Sequence, residues 1–329
     1  MKQHATIRLT AMILCMMLLC AFAAPASAQS ARARGMGGAF LGVSDDESAA
    51  YYNPAGLSQI QGREASFQMK VNERDDFNWT SVAFTGHIYE DDEKDTFSIT
   101  DYLEHNVLEE PVARRPKYSY GVAYSQDNRD VGFGQRVGGE FLGVKREVED
   151  LQIGFGTRFP IARRMLAREQ LYGGIKLRAT AADRWIKTLG THAKRDTQSM
   201  GLGFMYHYND RITGGLTVDN LVQRVDGVGN NRDGVSLNLG GSLTLTKGTI
   251  VSADATNITN SDRTNEQQYR VGVEKKFIEN DLTMRVGSWN GTLTVGFGMH
   301  VLPNVRLDYA YYAGDVVQEH YVGGHMTFD

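Results

Sequence analysis

The sequence predicts an all-β protein, a transmembrane antiparallel β-barrel of about 14 strands with a small N-terminal plug, or hatch. Three observations predict it. The chain opens on an export signal, and no later run of about 18 apolar residues follows, so no transmembrane helix is expected. Segments of about ten residues alternate apolar and polar, the period of a strand with one greasy face. The polar faces carry Gly, Ser, Thr, Asn, Asp and Arg, too wet a set for the core of a sandwich.

Composition agrees. The 329 residues include 35 basic and 39 acidic side chains, a net charge of -4, with 41% apolar residues, 36 Gly and 6 Pro. That apolar share excludes a disordered chain. The absence of a basic excess argues against nucleic-acid binding. A mean hydropathy of -0.36 excludes a multi-helix membrane protein but suits a barrel, whose alternating strands average out as soluble.

Residues 1–28 read as a secretory signal peptide. Lys2 and Arg8 supply the positive start, Ala11 to Ala24 the apolar stretch, and Ala26-Ser27-Ala28 the cleavage site. Leu19 stands where a lipoprotein signal needs a small residue before Cys20. Cys15 and Cys20 both fall in this segment, so the mature chain is expected to use no disulfide, catalytic thiolate or cysteine-held metal. Without Lys2 and Arg8 it has 33 basic against 39 acidic residues, or -6.

Strands are expected near 63–73, 76–88, 116–125, 131–144, 148–160, 169–183, 197–208, 211–220, 232–246, 248–257, 266–277, 281–289, 291–302, 305–313 and 318–328. The clearest alternation is Leu293, Val295, Phe297, Met299 and Val301 against Thr292, Thr294, Gly296, Gly298 and His300. Single-chain barrels favour even strand numbers, so one of the fifteen segments is surplus, and 131–144 is the weakest. Tight turns are expected at Asn209-Asp210, Glu279-Asn280-Asp281, Asn290-Gly291 and Pro303-Asn304. Long loops are expected at 89–115, 184–196, 222–232 and 258–266, with long and short connections at opposite ends of the barrel. Tyr118, Tyr208, Trp289, Tyr309 and Tyr321 are expected on the outer face as an interfacial girdle.

Residues 29–60 do not alternate and are expected to sit in the lumen or across one mouth as the plug, followed by the barrel at 61–329. Ser44 with Asp45, Asp46 and Glu47 looks like a capped, solvated helix start, and Pro54 stops the helix. The plug-defining residues are expected to be Gly35, Gly37, Gly38, Asn53, Pro54, Ala55, Gly56 and Leu57, with the Asn53 side chain bonding its own backbone while Pro54 fixes the turn. Arg306 and Asp308 face the lumen and are candidates to hold the plug.

At these residues the chain resembles a known family. Gly35-Met36-Gly37-Gly38-Ala39-Phe40, Asp45-Asp46 and Tyr52-Asn53-Pro54-Ala55-Gly56-Leu57 resemble the N-terminal hatch of FadL-like outer-membrane proteins, most closely the PorV/PorQ branch. Leu307-Asp308-Tyr309-Ala310-Tyr311 resembles a late strand of that branch. Asp219-Asn220-Leu221 and Arg270-Val271-Gly272-Val273-Glu274 sit where the branch has similar strand edges. The resemblance implies a fourteen-stranded barrel with a plug in the bacterial outer membrane. The FadL side implies diffusion of hydrophobic molecules; the PorV side implies holding or handing on exported proteins in type IX secretion. The chain is shorter than typical fatty-acid porins, and Asp329 displaces the terminal aromatic, Phe328, by one residue.

No enzyme chemistry is legible. Phe40 occupies the third glycine position of a dinucleotide motif counted from Gly35, and no strand precedes it. The mature histidines have no zinc-helix spacing; His320 and His325, five apart on a strand, face opposite sides. No Ser-His-Asp or paired-carboxylate site stands out, so no cofactor, metal or catalytic residue is expected.

Besides a structural outer-membrane protein with no cargo, two functions remain. One is a passive channel for a hydrophobic small molecule that leaves sideways between strands into outer-membrane lipid. Glycines interrupt strands at such gaps, and Gly132, Gly134, Gly138 and Gly139 mark 131–144 as the expected wall. The other is a barrel docking an exported protein on its polar loops at 89–96 and 222–232. Helically spaced Phe97, Ile99, Tyr102, Leu103, Val107 and Leu108 point instead to a ligand-facing loop.

Overall fold

The computed structural model describes residues 30–72, 79–89, 116–137, 140–159, 169–186, 191–227, 233–259, 266–277, 281–314 and 318–328. The expected signal peptide, most of the 89–115 loop, Gly138, Gly139 and Asp329 lie outside them. Two short helices, α1 (Ala31–Gly35) and α2 (Ala49–Tyr52), and a 3-10 helix (Pro54–Gln59) precede fourteen strands.

The strands are β1 (Arg63–Asn72), β2 (Trp79–Ile88), β3 (Tyr118–Val137), β4 (Glu140–Phe159), β5 (Gln170–Ile186), β6 (Thr191–His207) and β7 (Ile212–Gly227). They continue with β8 (Ser236–Thr246), β9 (Thr249–Thr256), β10 (Gln268–Phe277), β11 (Leu282–Trp289), β12 (Thr292–Leu302), β13 (Val305–Ala313) and β14 (Gln318–Phe328). Each pairs antiparallel with its sequence neighbours, and β14 closes on β1 from Arg63↔Phe328 to Asn72↔Glu319. Closure leaves no sheet edge within the barrel wall, as a lipid-exposed sheet requires.

The side chains sort as the alternation predicts. Leu293, Val295, Phe297, Met299 and Val301 of β12 all stand exposed, as do Leu151, Phe155, Ile175, Leu177 and Phe204 on the opposite wall. Ser66, Gln68, Asn238, Asp254, Glu274, Arg285 and Asp308 are buried on the inner face. The protein is greasy outside and polar inside, the inverse of a water-soluble domain.

Four expectations change. The segment 131–144 is not a strand of its own: Val131–Val137 ends β3 and Glu140–Val144 begins β4. Loops expected at 184–196 and 222–232 are largely strand, because β3 to β7 run 16 to 20 residues while the other strands have 8 to 11. A tilted strand crosses the hydrocarbon in about 9–11 residues, so one wall extends beyond the apolar belt. There its side chains are polar, as in the Arg195–Asp233 pair at 2.7 Å, and apolar alternation no longer reports the strand.

Connection length also fails to sort by end. β2 ends and β3 begins at the end that holds Arg63 and Phe328, so the connection across 89–115 shares that end with the turns at Asn209 and Pro303. The Asn290-Gly291 turn lies at the opposite end; its φ values of 48° and 88° suit a tight type I′ hairpin. Finally, Trp289 and Tyr321 face inward, where Arg34 packs over both rings. Nearness to a strand end places an aromatic residue in depth but does not choose its face.

Candidate functional site

The site begins with residues 30–60, which cross the barrel interior. The Ser30 hydroxyl caps α1 by accepting from the Ala33 amide at 3.1 Å. Gly37 and Gly38 then turn the chain at φ 66° and 74°, a region that a side chain strains. The amides of Phe40 and Leu41 both donate to Asp254 Oδ2 of β9, at 2.7 and 2.9 Å. Helix α2 follows Ser48, not Ser44. Ser44 instead takes φ 31° and donates from its hydroxyl to the Phe40 carbonyl.

Asn53 uses its whole amide. Its Oδ1 accepts from the Ala55 amide at 3.2 Å, capping the 3-10 helix that Pro54 starts. Its Nδ2 donates to the Leu41 carbonyl at 3.1 Å and to the Phe204 carbonyl of β6 at 3.0 Å. Ala55 packs with Tyr172 and Met205, and Leu57 with Ala49, Ala50 and Ala123. Gly56 lies so close to Ser44 that a β-carbon would overlap its carbonyl oxygen. An Asn53→Ala variant leaves buried carbonyls unpaired, a cost of about 1–3 kcal/mol. The expected result is greater ion leak in planar bilayers and lower thermal stability; unchanged conductance contradicts it.

Glycines of the wall make this packing possible. A β-carbon on Gly174 of β5 would lie 2.5 Å from the Pro54 carbonyl carbon, and one on Gly203 of β6 2.7 Å from its Cδ. One on Gly272 or Gly287 would collide with the backbone at Met36 and Gly37. Gly35 lies against Gly296 and Arg285, and its carbonyl accepts from Thr294 at 3.2 Å. Much of the chain's high glycine content therefore serves close backbone approach inside the barrel.

Charge ties the segment to the opposite wall. Arg32, 4% exposed, contacts Asp45 at 2.6 Å, Asp46 at 3.0 Å and Glu274 of β10 at 2.8 Å. Glu274 also meets Arg285 of β11 at 2.7 Å, and Arg285 meets Asp308 of β13 at 2.7 Å. Arg306 completes the row on Asp308 at 2.7 Å. Asp308 thus reaches the segment through Arg285 and Glu274, while the Arg306 charge also acts on Asp46 and Glu47. Burial opposes the Arg32 charge, but Asp45, Glu274 and Asp46 hold the guanidinium above its ordinary range. Burial and the adjacent Glu47 push the Asp46 carboxyl up to about 7. The expected solvated acidic turn is instead ion-paired, with Asp46 and Glu47 buried and Asp45 still exposed. Beside it, Arg34 sits 4.2 Å from the centre of the Trp289 ring and 5.0 Å from that of Tyr321, while Arg270 lies 4.0 Å from Trp289.

An interior cavity and an outer surface groove share lining residues beside a break in the wall. The inner one, about 220 Å³, is polar and lies among Tyr51, Tyr52, Lys176, Arg178, Asn238 and Arg270. The outer one, about 400 Å³, is lined by Leu151, Ile153, Leu177, Met200 and Val222, several of them on the lipid-facing surface. Arg178 and Ser199 line both. Between them the β6–β7 register slips: Met200 faces Val222 but Leu202 faces Val218, so Gly201 alone spans Asp219, Asn220 and Leu221. Asn220 takes φ 60° in this bulge, and Asp219 turns to Lys176 at 2.8 Å. The pairing of β7 with β8 also stops at Asp219.

No family model and no curated protein matches the sequence. Solved structures do. The toluene transporter TbuX of Ralstonia pickettii superposes with a TM-score of 0.60 at 13% identity, covering 92% of this chain and 98% of its own. The toluene transporter TodX of Pseudomonas putida gives 0.58 at 12%, covering 92% and 97%. A FadL homologue of Pseudomonas aeruginosa gives 0.58 at 11%, covering 93% and 99%. This chain shares their fold. The PorV/PorQ side of the resemblance rests on sequence motifs alone.

Sequence reasoning did not find Arg32, Arg34, Glu274, Arg285 or the Gly201–Asn220 break. One signal for the charges was present: Glu274 and Arg285 fall on the inward phase of strands whose outward phase is apolar, and they stand directly opposite each other.

Proposed function

We propose that this chain is an outer-membrane channel for passive passage of hydrophobic small molecules, exported with a cleaved leader, with residues 29–60 as its plug. On this reading the molecule leaves the lumen sideways between β6 and β7. The carrying observation is that the polar inner cavity and the apolar outer one share Arg178 and Ser199 at the register break. An apolar solute needs no hydrogen bonds from the wall it crosses, and it gains by moving from a polar cavity to a greasy one. The transporters that share the fold, two of them described as toluene transporters, support this class of solute. The lateral wall is thereby assigned to β6–β7 and not to 131–144.

Uptake into vesicles with a lipopolysaccharide outer leaflet, which slows apolar solutes, tests the reading. Toluene is expected to equilibrate faster than in protein-free vesicles, while a sugar of similar size shows no acceleration. Equal acceleration of both makes the protein a general pore and overturns the proposal.

One observation favours the second reading, docking of an exported protein. Val222–Gly227 of β7 pairs with β6 but, among the described residues, with no strand on its other side, where Gln223 donates to Asp233 at 2.8 Å. An extended segment of a partner can add to such an edge. Stoichiometric recovery of an exported protein without any small ligand, by native mass spectrometry, is the result that replaces the channel with this reading.

A further inference from the structure

The barrel closes where β14 meets β1, and near the Phe328 end of this seam three titratable side chains converge. Glu47 comes from the N-terminal segment, Glu64 from β1 and His325 from β14. His325 Nε2 lies 3.1 Å from Glu47 Oε2 and 3.4 Å from Glu64 Oε2, and the three atoms fall within 4.8 Å of one another. All three residues are buried, Glu47 to 2% exposure. Apart from these ion-pair contacts within the trio, none of the three atoms makes a hydrogen bond.

We propose that Glu47, Glu64 and His325 bind a divalent transition-metal ion of the zinc class, which pins the N-terminal segment to the closing seam. Spacing is the first argument. Ligand atoms around a tetrahedral ion with bonds of about 2.0–2.2 Å lie roughly 3.4 Å apart. The two His325 contacts, 3.1 and 3.4 Å, lie just below and at that figure.

Charge is the second argument. Two carboxylates and one imidazole carry net negative charge in a buried place whether the ring is neutral or protonated. The nearest cation in the register, Arg306 opposite His325, is already held by Asp308 at 2.7 Å. A doubly charged ion neutralises the carboxylate pair, takes the place of any ring proton and gives all three atoms one shared partner.

Ligand type is the third argument. One imidazole with two carboxylates suits Zn²⁺, Mn²⁺ or Fe²⁺ better than the all-oxygen cations or the thiolate-seeking ones. Three protein ligands leave a fourth position for water. No ligand pair is close in sequence on one strand or helix, which is why no spacing motif announces the site.

Cobalt is the probe. The mature protein in detergent is stripped with EDTA and titrated with CoCl₂, then with ZnCl₂ in competition. The expected result is a saturable visible absorption band at one Co²⁺ per chain, displaced by Zn²⁺, with zinc raising the unfolding temperature. Both effects should weaken at least about tenfold in affinity in His325→Gln and in Glu64→Gln, as loss of one ligand implies. Heat-modified gel mobility identifies folded barrels, so either folded variant decides the assignment. Absence of a saturable band in the wild-type protein overturns the proposal without any variant. A band of wild-type strength in a folded variant also overturns it, by placing the ion elsewhere.

Discussion

Replacing Arg32 with alanine is expected to undock the N-terminal segment and open the lumen to ions. Among the described residues, Arg32 is the one residue of that segment that bridges to Glu274, and it also holds Asp45 and Asp46. Its removal leaves Asp46 buried with Glu47 beside it and takes one of the two cations from Glu274. Deleting one partner of a buried ion pair costs about 3–5 kcal/mol, because the remaining charges stay out of water. That loss shifts the ratio of docked to undocked segment by a factor of roughly 10²–10⁴. Single-channel recording in planar bilayers reads it directly: the wild type stays at low conductance, and Arg32→Ala shows frequent or permanent openings. An Arg32→Ala channel as quiet as the wild type means that the glycine bed holds the segment unaided.

A leucine at Gly203 is expected to act from the wall side. A β-carbon there already presses on Asn53 Oδ1 and on the Pro54 ring, so a larger side chain has nowhere to go except through the 3-10 helix. Overpacking of this kind costs about 1–3 kcal/mol. It should again raise conductance and lower the unfolding temperature. Gly214 supplies the control. It lies in β7, and a β-carbon there meets no atom within 4 Å, so Gly214→Leu is expected to leave conductance unchanged. Equal effects at both positions mean that leucine acts by disturbing strands and not through the segment.

The fold was legible wherever lipid imposes the pattern. In β10 to β14 the apolar and polar phases coincide with the strand, and expected bounds such as 305–313 and 318–328 match Val305–Ala313 and Gln318–Phe328. The pattern fails where β3 to β7 leave the hydrocarbon, since a strand wet on both faces no longer alternates. The surplus strand at 131–144 straddles the end of β3 and the start of β4. End assignment failed because turn length is a local property, whereas the end on which a turn lies depends on strand parity along the whole chain.

The interior was legible in type but not in partnership. Asn53 and Pro54 announce a turn by their own chemistry. Arg32 meets Glu274 only because the chain folds back across 242 positions. The wall break was hidden for another reason. Gly201 and Asn220 are one glycine and one asparagine among many, and only the register shows that three residues of β7 face one of β6. Gly132 and Gly134 advertised a gap more loudly.

The central claim is that hydrophobic molecules leave through the β6–β7 wall. Deleting Asn220 and Leu221 removes the two extra residues and lets Gly201 face Asp219 in an unbroken ladder from Met200↔Val222 to Leu202↔Val218. Toluene uptake is then measured in vesicles with a lipopolysaccharide outer leaflet that hold equal amounts of folded wild-type and deleted protein. The account predicts that uptake through the deleted protein falls to the level of protein-free vesicles. Uptake at the wild-type rate through a folded, sealed wall contradicts it.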